Sequence, residues 1–223
     1  MWRGYSAISG LGDTNALNVI VFFTDGASTN FSATVTPSAG ACNGTEMTGG
    51  AQGYSSTTST AARGLWQLSV GPPPVAVSDE HYLSGCGFGS QDLSVFVPTL
   101  PLNDSHGASI TGPRTIPAYT GSFPTTRGDV IRAATGNATI NVAGMARADL
   151  TTPVTIFSIG MGGNAPPPEI PLDVDLLNRV SNTVASPDHD PNQPIGKTFI
   201  TPDAGGLQDA FDQVASEVLR LVE

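Results

Sequence analysis

The sequence predicts an α/β fold, a doubly wound parallel sheet with helices on both faces, broken by a long irregular and β-rich insertion. Three observations predict it. Residues 19–23 (VIVFF) are apolar at every position, and residues 154–159 (VTIFSI) are a second largely apolar, non-alternating run broken only by Thr155 and Ser158, which marks strands covered on both faces rather than half-exposed ones. The last third of the chain runs strand, helix, strand, helix, the order of right-handed crossover units. Between these parts lies a stretch of about a hundred residues with a different composition, longer than an ordinary connection.

Taken in order, the first strand lies in NVIVFFTDGAS and delivers Asp25 to its carboxyl end, where sites gather in open α/β sheets. Residues 26–128 are rich in Gly, Ser, Thr and Pro. Two short β-leaning runs inside them, LWQLSV (65–70) and LSVFVPTL (93–100), predict a small subdomain of strands and turns. In DVIRAATGNATINVAGMARAD, Val130, Ile131, Ala134, Ala138, Val142 and Met145 recur at helical spacing and mark one buried face. Strand 154–159 follows, with Gly160, Gly162 and Gly163 at its exit.

Leu172, Leu176, Leu177 and Val180 then line a further helix, the polar loop SPDHDPNQPIG reads as a solvated turn, and KTFI is a short strand. The last helix is the clearest element, with Leu207, Ala210, Phe211, Val214, Ala215, Val218 and Leu219 on one stripe. Its acidic residues Asp209, Asp212 and Glu217 lie off that stripe, on a solvated face. The expected organisation is a core of residues 1–25 and 129–223 carrying an insertion at 26–128.

With 223 residues and 39% hydrophobic content the chain is long enough for a packed core. Nine Lys plus Arg stand against nineteen Asp plus Glu, a net charge of -10, which repels nucleic acid and anionic membranes. Cys42 and Cys86 lack the close Cys or His neighbours of a structural zinc site. Closing the 43 residues between them with a disulfide would restrict the unfolded chain by about 4 kcal/mol, and that pairing is expected. The disulfide, the single lysine (Lys197) and the Ser/Thr/Gly/Pro content favour an exported protein, although MWRGYSAISGLGD has no apolar core of signal-peptide length.

Several motifs invite sharper readings and carry them poorly. Gly160-Met161-Gly162-Gly163-Asn164-Ala165 fits a dinucleotide fingerprint in letters, the basis of a remote oxidoreductase alternative. Pro166, Pro167 and Pro168 stand where the helix N-terminus that holds phosphate should begin. No Gly-x-Ser-x-Gly elbow or His-Glu-x-x-His helix occurs, and His81, His106 and His189 are scattered in loops. Asp188-His189-Asp190 has the side chains to bind calcium or a transition metal, but Pro187 and Pro191 flank it in a loop that reads as a solvated turn. Arg127-Gly128-Asp129 spells an adhesion tripeptide, but Asp129 is suited to starting the next helix.

NVIVFFTDG, VTIFSIGMGG and the terminal helix, in that order, resemble the von Willebrand factor A-like fold. The ending LLNRVSNT through ITPDAGGLQDAFDQVASEVLRL is similar to A-like domains of bacterial Tad-type (Flp) pilus assembly proteins. The resemblance covers residues 14–25 and 129–222. It implies a partial A-like domain in a cell-envelope or extracellular setting, with a non-enzymatic role in adhesion or scaffolding through protein partners. It also implies a magnesium site built from an Asp-x-Ser-x-Ser loop, a later threonine and the TDG aspartate.

Only Asp25 carries over, with Thr24 or Ser28 as neighbouring hydroxyls. Asp92-Leu93-Ser94-Val95-Phe96 comes nearest to the missing loop and fails at Phe96. A hard cation wants about six oxygens, so Asp25 is read either as the remnant of an incomplete metal site or as a turn residue. The resemblance further implies that residues 19–23 form an apolar edge. An insert strand, a partner chain, self-association or upstream sequence is expected to cover it. The alternative to an adhesion domain is a truncated binding module with a degenerate metal site that acts through its insertion.

Overall fold

The computed structural model describes residues 1–26, 30–53, 62–66, 97, 99–116, 123–124, 128–149, 151–162 and 172–222. In chain order the elements are α1 (Trp2–Leu11), β1 (Asn18–Thr24), β2 (Asn30–Val35), β3 (Met47–Gly53), β4 (Ala62–Trp66), β5 (Thr99–Leu100), β6 (Phe123–Pro124), α2 (Gly128–Ala148), β7 (Val154–Met161), α3 (Val174–Val180), β8 (Thr198–Thr201) and α4 (Leu207–Val222). They form two compact units, residues 1–27 with 139–223, and residues 28–138.

The first unit is built on a parallel three-stranded sheet in the order β1-β7-β8. Seven consecutive residues of β7 are buried, because both faces of the strand are covered by apolar clusters. On one face Ile156 and Val154 pack with Ile140, Ala143 and Ala146 of α2, Leu176 and Val180 of α3, and the partly buried Tyr5 and Ile8 of α1. On the other, Phe157 and Ile159 pack with Ala210 and Val214 of α4 and with Val19 and Phe199. Burying each of these large side chains contributes about 1.5–3 kcal/mol relative to exposure. The molecule is therefore mixed α/β, with helices flanking a parallel sheet.

The second unit holds an antiparallel sheet in the order β2-β3-β4 and the short pair β5-β6. Phe31, Ala33 and Val35 alternate inward from β2 and pack with Ala51, Val97, Ile110 and Ile116, and with Val130, Ile131, Ala134 and Ala138 of α2. The second boundary thus falls inside α2, after Ala138, rather than ahead of residue 129 as the sequence suggests. The apolar residues that open this helix belong to the core of the inserted unit. Cys42 takes part in a disulfide; Cys86, with which the sequence pairs it, lies outside the described residues.

Three expectations need correction. β1 is not covered on both faces along its length: Ile20 and Phe22 pack on one face and Val19 on the other, but Val21 and Phe23 are 40% and 44% exposed. The face of α2 is misjudged at Met145, which is exposed, because the buried side turns to Ile140, Ala143 and Ala146 where the helix meets β7. On α4, Phe211 and Leu219 are exposed while Ala210 and Val214 are buried, so a narrower stripe than the sequence pattern touches the sheet. The helix α1 has no counterpart among the elements that the sequence pattern predicts, and it ends in a left-handed cap at Gly12.

Two close approaches fix the sheet's packing. A Cβ on Gly196 would fall 1.8 Å from the Ile156 carbonyl oxygen, whereas one on Gly160 would meet the side-chain ends of Leu172 and Leu177 at 2.6 Å. Backbone cannot yield as a side chain can. Gly160→Ala is expected to cost about 1–3 kcal/mol, and Gly196→Ala more than about 4 kcal/mol or the fold itself. Urea denaturation of the two variants checks the order; equal costs would show that the chain at Gly196 shifts freely.

Candidate functional site

The carboxyl ends of the parallel strands bring Thr24, Asp25 and Gly26 from β1 beside Met161 and Gly162 from β7. Thr24 pairs with Gly160 across the two strands. The Thr24 hydroxyl donates to the Gly26 carbonyl at 2.7 Å and accepts from its N–H at 3.2 Å. That hydroxyl closes a local turn. Asp25 follows it as an exposed carboxylate that bonds no described residue. Ser28, the other hydroxyl considered from the sequence, lies outside the described residues, as do Asp92, Ser94 and Phe96.

Magnesium bound by the protein would need about six oxygens converging. Among the described residues no three His, Cys, Asp or Glu side chains gather as a ligand set, and Asp25 stands alone with Thr24 committed to its own turn. These residues do not fit a resident cation. The glycines of the fingerprint do not fit a pyrophosphate either: Gly160 lies inside β7, paired with Thr24 and Ile200 and crowded by Leu172 and Leu177. Gly162 has φ +124°, and its N–H donates to the Thr201 carbonyl at 2.9 Å. Residues 163–165 lie outside the described set.

The loop 181–196, read from sequence as a solvated turn, is organised around a buried Asn182 at φ 52°. Its amide donates to the Asp190 carbonyl and its side-chain oxygen accepts the Asp190 N–H, both at 2.8 Å. Asp188 pairs with Arg179, the His189 Nδ1 lies 3.1 Å from the Asn182 carbonyl, and the Asp190 carboxylate accepts from Asn192. The three residues therefore face different partners and do not converge on a metal.

Arg147, buried beside this loop, donates to the Val180 carbonyl and, at 3.0 Å, to Gln193 Oε1. Burial pushes its guanidinium down to about 10, against the opposing pull of Asp190. The sequence offered no sign of this clasp because its partners are carbonyls and a loop glutamine.

A second polar cluster, also unforeseen, lies in the inserted unit. Ser32 Oγ and Asp104 Oδ2 approach His106 Nδ1 at 3.1 and 3.3 Å, and Ser105 donates to Ser32 Oγ at 2.6 Å. A nucleophilic triad needs the carboxylate and the hydroxyl on opposite ring nitrogens, whereas here both meet the same one. Asp104 Oδ1 also accepts the N–H groups of His106 and Ala108 at 2.9 and 2.8 Å, so the cluster shapes a turn. Of the remaining sequence motifs, Asp129 sits in the first turn of α2 near Arg132, while Arg127 and His81 lie outside the described residues.

No family model, curated protein or solved structure matches this chain.

The exposed end of α2 supplies a titratable anchor for α1. Asp149 accepts the Thr151 N–H and the Tyr5 hydroxyl, each at 2.8 Å, and the Thr152 N–H at 3.1 Å. The Thr151 N–H first, and the Tyr5 hydroxyl next, hold its carboxyl below the ordinary carboxylate value. A depressed carboxyl contributes stability that is present above its unfolded pKa and is lost as pH falls through the folded one. Asp149→Asn should therefore destabilise the protein at neutral pH, with the gap to wild type closing below about pH 4. Urea melts across that range test this; a gap independent of pH would remove the carboxylate's charge from the explanation.

Proposed function

We propose that this chain is a non-enzymatic protein-interaction domain, a partial von Willebrand factor A-like unit of a Tad-type pilus assembly or related envelope protein, acting in adhesion or scaffolding. The observation that carries the reading is β1. It stands at one edge of the sheet, no described strand pairs with its outer side, and its sequence NVIVFFT has no charge and no proline. Isolated edges are normally blunted by charge, proline or bulges. Here Val21 and Phe23 are instead left exposed beside a row of backbone groups available to another strand, as in recognition by strand addition.

A second reading is favoured by the separate core of residues 28–138: a binding module that acts through its insertion without metal. In both readings Asp25 is a turn residue and not a metal ligand.

Two measurements bear on these readings. Phe23→Lys should leave the fold intact and reduce self-association in sedimentation velocity, and outer β1 amides should gain exchange protection when the edge is occupied. A wild-type protein that stays a monodisperse monomer with fast-exchanging β1 amides would sink the edge reading. Magnesium is expected to leave Tm unchanged in wild type and in Asp25→Ala alike. A rise in Tm that Asp25→Ala abolishes would restore a metal site.

A further inference from the structure

The opposite edge of the sheet carries a different feature. β8 ends the order β1-β7-β8, and beside it a cleft of about 370 Å³ is lined by Thr198, Ile200, Thr201 and Pro202 on the strand side and by Asp209 and Gln213 of α4. The Ser158 and Gly162 N–H groups donate to the carbonyls of Lys197 and Thr201, each at 2.9 Å. Backbone direction alternates along a strand, so the N–H and C=O groups of Thr198 and Ile200 point away from β7, along the edge that no described strand pairs with. A strand edge flanked by a helix is the geometry in which an extended peptide adds as a further strand.

The chemistry of the lining selects the charge of that peptide. Asp209 lines the cleft and bonds no described residue, and no Lys or Arg side chain is among the lining residues. Lys197, which precedes β8, is ion-paired with Glu217, and Arg220 joins the same carboxylate at 2.9 Å. The chain as a whole carries a net charge of -10, which draws cations and repels anions.

We propose that the cleft between β8 and α4 binds an extended cationic peptide, which pairs with the outward groups of Thr198 and Ile200 and sets a Lys or Arg against Asp209. This site is independent of the β1 edge, from which β7 separates it.

The probe is a fluorescein-labelled peptide of alternating valine and lysine, titrated into the full chain by anisotropy, beside the same peptide with glutamate for lysine. The lysine peptide should bind saturably and slow amide exchange at Thr198 and Ile200, and the glutamate peptide should not bind. Asp209→Lys is expected to weaken binding about tenfold. Ile200→Pro removes an outward N–H at a position where an edge strand tolerates proline and should weaken it several-fold, with the fold checked by circular dichroism. Phe23→Lys should leave it unchanged. Equal binding of the glutamate peptide, no saturable binding by the folded chain, or binding lost in Phe23→Lys but kept in both cleft variants would each overturn the proposal.

Discussion

Burial of β7 is the constraint on which the rest of the first unit depends. From Val154 to Gly160 every residue is buried, and the strand exchanges parallel ladders with a neighbour on either side. Its two faces impose different partners: Ile156 requires the small residues Ala143 and Ala146 of α2, whereas Phe157 and Ile159 are met by Ala210 and Val214 of α4. Even its polar member is spoken for, since the buried Ser158 hydroxyl lies 2.6 Å from Ser181 Oγ at the end of α3. An unpaired hydroxyl there would cost about 1–3 kcal/mol.

A central strand held this firmly leaves the free energy of interaction at the margins. Both outer strands present one unpaired side among the described residues, and they differ in chemistry. β1 is wholly uncharged and shows Val21 and Phe23. β8 is short, ends against Pro202 and faces Asp209 across a cleft. The carboxyl ends of the strands, where the sequence directed attention, hold a turn closed by Thr24 and a bond from Gly162 to the end of β8, and no convergent set of ligands among the described residues.

The fold was legible where the pattern was continuous. Residues 154–159 identified β7 and the i, i+3, i+4 spacing identified α4, because burial on both faces or on one stripe leaves its period in the sequence. β2 was legible in principle, since Phe31, Ala33 and Val35 alternate inward, but it was obscured by the Gly and Thr around it. β3, MTGGAQG, carries no strand signal: its place is set by pairing with β2 and by glycines that admit a close neighbour, Gly50 lying against the Asn30 side chain. The polar clusters around Asn182, Arg147 and His106 were illegible because their partners are largely backbone groups and side chains distant in sequence.

By itself the sequence determined the mixed α/β class of the fold, the places of β1, β7, α2, α3, β8 and α4, and the acidic net charge. These follow from local periodicity and net charge, which need no knowledge of neighbours. Only the tertiary structure decided that Val21 and Phe23 of β1 are left exposed, that α2 lends its first half to the inserted unit, and that Asp25 has no described carboxylate or hydroxyl turned toward it. Each of these is a pairing between residues far apart in the chain, and the free energy of such a pairing depends on geometry that no single segment encodes.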